Sequence, residues 1–91
     1  MEEKKQELYS LTVSVWDPNK LLYKGDCESV TTTNDKGIFD ILPVHENFIT
    51  IIKGKVIVRS KEGKMMEYPV EKGILKVEEN VVDIFLGTET L

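Results

Sequence analysis

An all-β domain, a sandwich or a barrel, is the fold class that this sequence predicts. Three observations carry it. Turn signals rich in Gly, Asp, Asn and Pro recur about every 8 to 12 residues, the spacing of short antiparallel strands. Between them, apolar and polar residues alternate with a period of two, which puts the apolar set on one face of a strand. No stretch shows the three- and four-residue apolar spacing of an amphipathic helix.

The elements follow in order. Residues 1–7 are polar after Met1, carry mixed charge and lack periodicity; they read as a flexible tail ahead of a single domain over 8–91. Leu11, Val13 and Val15 then share one parity and Ser10, Thr12 and Ser14 the other, so a first strand runs up to Trp16. Asp17-Pro18-Asn19-Lys20 is a turn, since proline presets φ and Asp17 can accept from the backbone ahead of it. Leu21 to Lys24 opens a second strand. Gly25-Asp26 interrupts it as a bulge or bend, and Ser29 to Thr33 resumes with β-branched residues. Asn34 to Gly37 is the next turn, and the strand Ile38 to Leu42 stops at Pro43, which has no N–H to donate to a ladder. Phe48–Ile52 and Lys55–Ser60 read as two short strands joined at Lys53-Gly54, with Lys55, Ile57 and Arg59 facing away from Val56 and Val58. Lys61 to Lys64 closes a hairpin onto Met65–Val70. Glu71 to Gly73 leads to Ile74–Val77, and Glu78 to Asn80 turns into Val81–Leu86.

Composition narrows the function. With 91 residues, 41% hydrophobic and 31% charged, the chain matches a folded domain with one core. Its 12 basic and 16 acidic side chains are interspersed, with a net charge of -4, which does not suit a phosphate-neutralising surface; no nucleic-acid partner is expected. The longest apolar run, Phe48 to Ile52, is far below the roughly 20 residues of a spanning helix. The first residues have neither the apolar core of a signal peptide nor the basic character of a transit peptide, so a cytosolic setting is expected.

Few side chains invite a chemical role. Cys27, the single cysteine, is flanked by Asp26 and Glu28, whose charge disfavours a thiolate; it reads as structural. His45 lies just beyond a proline-terminated strand with no nucleophile or orienting partner in evidence, so it is either a loop hydrogen-bonding residue or a partner contact. Lys64, at a hairpin tip beside Met65 and Met66, raises the alternative of a biotin- or lipoyl-type carrier. Gly63 replaces the methionine that biotin acceptors place there, and the chain lacks the internal repeat of such domains. Lys53, Lys55, Arg59, Lys61 and Lys64 make a basic stretch that reads as the wet face of a hairpin.

Residues 37–50, Gly-Ile-Phe-Asp-Ile-Leu-Pro-Val-His-Glu-Asn-Phe-Ile-Thr, are the most informative block. Their pattern resembles the Gly-x-x-x-Ile-Leu/Tyr-Pro-x-His signature in the amino-terminal β-sandwich of the ε subunit of F-type ATP synthases. Further pieces fall in the same order: Pro18 with Leu22-Tyr23-Lys24-Gly25, Glu28-Ser29-Val30, Phe48-Ile49-Thr50, Gly54, and Gly73-Ile74-Leu75-Lys76-Val77. The resemblance covers about Leu11 to Leu86. It implies a flattened two-layer sandwich of about ten strands around a hydrophobic interior. It also implies a non-catalytic subunit of the central rotor stalk, joining the γ subunit to the membrane c ring and so coupling ion translocation to ATP synthesis. Such a subunit is peripheral, on the cytoplasmic face of the cell membrane, and carries no cofactor, metal or catalytic residue. By family position, Asn34, Asp35, Lys36, Gly37, Ile38 and Asp40 face the c ring, and Val44, His45 and Phe48 face γ. Two departures stand out. The family has an acidic residue after the ring-facing glycine and a glycine two places later, whereas this sequence has Ile38 and Asp40. Most members also continue into two carboxy-terminal helices that inhibit hydrolysis, whereas this sequence stops at Leu91; a naturally short form and a trimmed chain both fit, and in either case this polypeptide is expected to lack that brake.

Overall fold

The computed structural model describes residues 10–87, so the expected tail over 1–7 lies outside the described residues. Among the described residues, six strands make up the regular structure: β1 (Leu11–Trp16), β2 (Leu21–Asn34), β3 (Gly37–Ile41), β4 (Phe48–Ser60), β5 (Met65–Glu78) and β6 (Val81–Phe85). No helix occurs among the described residues. The ladder runs β1-β6-β5-β4-β2-β3, and β1 also pairs with β2. Five strands therefore close into a ring, and β3 rides outside it on β2. Every pairing is antiparallel except β1 with β6.

The expected count of about ten strands is corrected to six, and the reason is local. Stretches read as separate strands on either side of Gly54 and Gly73 are continuous, and Gly25-Asp26, read as a bulge or bend within one strand, pairs with β1 without a register shift. β4 and β5 slip register beside Gly54 and Gly73 without leaving the ladder, and β2, β4 and β5 each serve two parts of the sheet. The first half of β4 pairs with the last part of β5, and its second half with the start of β5 and with β2. A glycine inside a strand pattern thus marks a bend here, not an end.

The bulges also set which residues face inward. In β5, Ile52 pairs with Gly73 but Gly54 pairs with Val70, so Glu71-Lys72 holds one residue more than the partner strand. Parity flips there: Met66, Tyr68 and Val70 face inward before it, and Gly73, Leu75 and Val77 after it. A similar slip between Cys27 and Ser29 switches β2 from odd to even inward positions. The resulting core joins Leu11, Val13, Val15, Cys27, Val30, Ile41, Ile52, Val56, Val58, Val70, Leu75, Val77, Val82 and Ile84. Valine and isoleucine dominate it, as suits side chains whose branched Cβ packs on a pleated surface. The predicted outward set Lys55, Ile57 and Arg59 does face away from the buried Val56 and Val58.

Turn chemistry explains the connections. Asp17 Oδ1 accepts from the amides of Asn19 and Lys20. Ser60 Oγ does the same for Glu62 and Lys64 across the β4–β5 hairpin. Between β5 and β6 the two turn residues Glu79 and Asn80 have φ of 53° and 65°, the mirror-image turn whose twist matches that of flanking strands.

Candidate functional site

The chemistry-bearing residues gather where two connections meet. The β2–β3 turn is held by Asn34, whose Oδ1 accepts from the Lys36 amide at 2.9 Å while its Nδ2 donates to Thr50 Oγ1 at 3.2 Å. That second bond ties the turn to β4. Opposite it runs the 42–47 connection from β3 to β4. A groove of about 520 Å³ separates them, walled by residues 34–39 on one side and 45–50 on the other. Phe39 and Phe48 meet edge to face at 6.0 Å, and the His45 ring lies over Phe48 at 5.0 Å with a tilt of 34°.

His45 is half-buried, and its Nδ1 lies 2.7 Å from the Glu46 carbonyl. A carbonyl only accepts, so Nδ1 carries a proton and donates in this contact. The 42–47 connection is further fixed from below. The Val44 amide donates to Asn80 Oδ1 at 2.7 Å, and the Glu79 amide donates to Asn47 Oδ1 at 2.9 Å. Val44 itself has a φ of 67°, a left-handed conformation that a β-branched residue rarely adopts.

The structure therefore brings most of the sequence-predicted residues together, in an arrangement the sequence did not suggest. Asn34, Asp35, Lys36, Gly37 and Ile38, expected to face one partner, share a groove with His45 and Phe48, expected to face another. Asp40 and Val44 are not among its walls. Asp40 points to the outer face of β3, where its carboxylate accepts from the Thr31 hydroxyl; Thr31 in turn accepts from Arg59 Nη1 at 2.9 Å. This Arg59–Thr31–Asp40 relay across three strands was missed, because its members are 28 and 9 residues apart in sequence. The roles of Asn47 and Asn80 were missed as well. Asparagine beside a turn was the available signal.

The other candidates resolve simply. Cys27 is fully buried; its Sγ donates toward the Gly25 carbonyl at 3.7 Å and lies 3.5 Å from Tyr23 Oη. Burial raises the thiol pKa even though the Tyr23 bond pulls it down. Lys64 stands exposed at the hairpin tip. The basic stretch is broken up, with Lys55 3.7 Å from Glu67 and Arg59 committed to Thr31. Among the described residues, no three His, Cys, Asp or Glu side chains converge as a metal would need. No helix among them is long and apolar enough to cross a membrane.

The family model for the ATP synthase delta/epsilon chain, β-sandwich domain, matches residues 10–88. The chain belongs to that family. An ATP synthase epsilon chain from Leptospira borgpetersenii is 36% identical over 76 residues, covering 84% of this chain and 60% of the relative. One from Xanthomonas euvesicatoria is 34% identical over 70 residues, covering 76% of this chain and 50% of the relative. The chain thus spans about half to 60% of the length of the relatives it matches. Two solved structures share the family fold. A chain of the Euglena gracilis mitochondrial ATP synthase OSCP/F1/c-ring assembly superposes with a TM-score of 0.78 at 20% identity, over 85% of this chain and 50% of that one. A chain of the Tetrahymena thermophila central stalk/c-ring assembly gives 0.73 at 15% identity, over 86% and 63%. Membership of this family gives the carrier reading of Lys64 no support.

Proposed function

We propose that this chain is a non-catalytic rotor subunit of the central stalk of an F-type ATP synthase. It links the γ subunit to the c ring, peripheral to the membrane on its cytoplasmic face, and couples ion translocation to ATP synthesis carried out by other subunits. The observation that carries this reading is the family match, which takes in every described residue from Ser10 to Gly87. The relatives are epsilon chains, and the superposed structures are stalk and c-ring assemblies. A closed ring of strands around a dry core is also suited to bearing load, because interiors packed at crystal-like density deform little.

The groove is the docking end. His45 and Phe48, with Val44 beside them, face γ; Asn34 to Ile38 face the polar loops of the c ring. Ile38 is 79% exposed, an apolar side chain held in water at the rim, and exposed apolar groups of this kind are what an interface covers. Asp40, tied into the strand relay, serves the ring contact through the set of β3 and not through its own carboxylate.

Mixed with its cognate γ subunit, the chain is expected to co-purify as a stable complex. His45→Glu and Phe48→Ala should each weaken it about tenfold or more, as removing a central aromatic anchor does. No complex with γ, or one indifferent to both changes, would end this reading.

A further inference from the structure

We infer that Asn80 and Asn47 are positioning residues for partner docking: together they latch the 42–47 connection in the conformation that presents Val44 and His45. The inference rests on the reading of that connection as the γ-facing surface, and it names residues to which that reading gives no role.

The observation behind it is a strain without a local reason. Val44 adopts a φ of 67° although its side chain is 66% exposed, so burial within this chain does not offset the unfavourable backbone. Two hydrogen bonds hold it there. The Val44 amide donates to Asn80 Oδ1 and the Glu79 amide donates to Asn47 Oδ1, so each connection supplies one donor and one acceptor to the other. Lifting residues 42–47 from the β5–β6 turn breaks both bonds at once. The turn is itself anchored, since the Asn80 carbonyl accepts from the Thr12 amide of β1 at 2.9 Å. The latch thus connects the docking loop to the closed ring of strands.

Its consequence is preorganisation. A loop already set in its bound shape avoids the ordering cost that otherwise subtracts from affinity. The surface it presents combines the apolar Val44 side chain with the polar ring edge of His45. It suits a γ surface that offers an apolar patch beside a polar group.

Asn80→Gly tests the latch, because glycine keeps the left-handed turn but lacks the acceptor. It should weaken binding to the cognate γ subunit about fivefold, the fold-change of one net hydrogen bond. Hydrogen exchange at the Val44 amide should accelerate while core amides such as Val58 and Ile84 stay protected. Asn80→Asp, which retains the acceptor oxygen, should restore both readouts. Asn47→Ala, outside the hairpin, should act in the same direction and serves where Asn80→Gly impairs folding. Unchanged γ affinity in Asn80→Gly, or weakened affinity with Val44 exchange unaltered, overturns the inference. Failure of the unaltered chain to bind γ would instead remove the stalk reading on which it rests.

Discussion

Two residues show how single side chains set stability here. Val44 carries a left-handed backbone that glycine adopts freely, so Val44→Gly is expected to raise unfolding stability by about 1 kcal/mol. In a thermal melt that is a rise of roughly 4–8 °C for a domain of this size. Tyr23 works through a proton. Its hydrogen bond with Cys27, aided by burial, pushes its pKa up to about 12 from an ordinary 10.0. The phenol is then protonated in the folded state at pH values where the unfolded chain has lost that proton. Its contribution is fully present below pH 10.0 and disappears as pH rises through about 12. Burial raises Tyr68 in the same direction. Denaturant melts between pH 9 and 12 should show stability falling, and Tyr23→Phe should flatten the fall. A Tyr23→Phe protein with the same slope as the unaltered chain would contradict this account.

At the scale of elements, the bulge in β5 decides which residues reach the core. Its extra residue lets Val70 and Gly73, three positions apart, both face inward, and Leu75 and Val77 follow Gly73 into the core. Gly73 allows little to change beside it. A Cβ there would sit 2.4 Å from the Phe85 carbonyl oxygen and 2.9 Å from Val70 Cγ2, so the strands would have to part. Gly73→Ala should cost about 2 kcal/mol or more in a denaturant melt, the order seen for overpacked cores. These same glycines limited what the sequence made legible. Alternation from Leu11 to Val15 and from Val56 to Ser60 identified strands and faces correctly, because period two is a local property. Whether Gly54 or Gly73 ends a strand or bends it depends on the partner ladder, which lies elsewhere in the chain. The groove between residues 34–39 and 45–50 divides in the same way. Residues 34–38, His45 and Phe48 were recognisable from a linear motif, whereas Asn47 and Asn80 act across 32 to 36 residues, and an asparagine beside a turn does not say which distant amide it meets.

The whole molecule depends on the ring of strands staying shut around its core. Cys27 lies at the junction where β2 passes from β1 to β4, fully buried and paired with residues of both. Its thiol should resist alkylation under native conditions and react only at the rate of global unfolding, a slow clock for opening of the ring. Rapid labelling of Cys27 with the circular dichroism spectrum unchanged would show that the junction opens locally. One consequence of the parallel β1–β6 pairing remains. Leu11 begins β1 at the end where Val81 begins β6, and Trp16 and Phe85 lie together at the other end. A tensile force drawing Leu11 and Phe85 apart would act along this ladder in shear, loading its hydrogen bonds simultaneously instead of peeling them in succession. β1 and β6 thus form a mechanical clasp, and a pulling experiment between those two points should meet a high, abrupt rupture force.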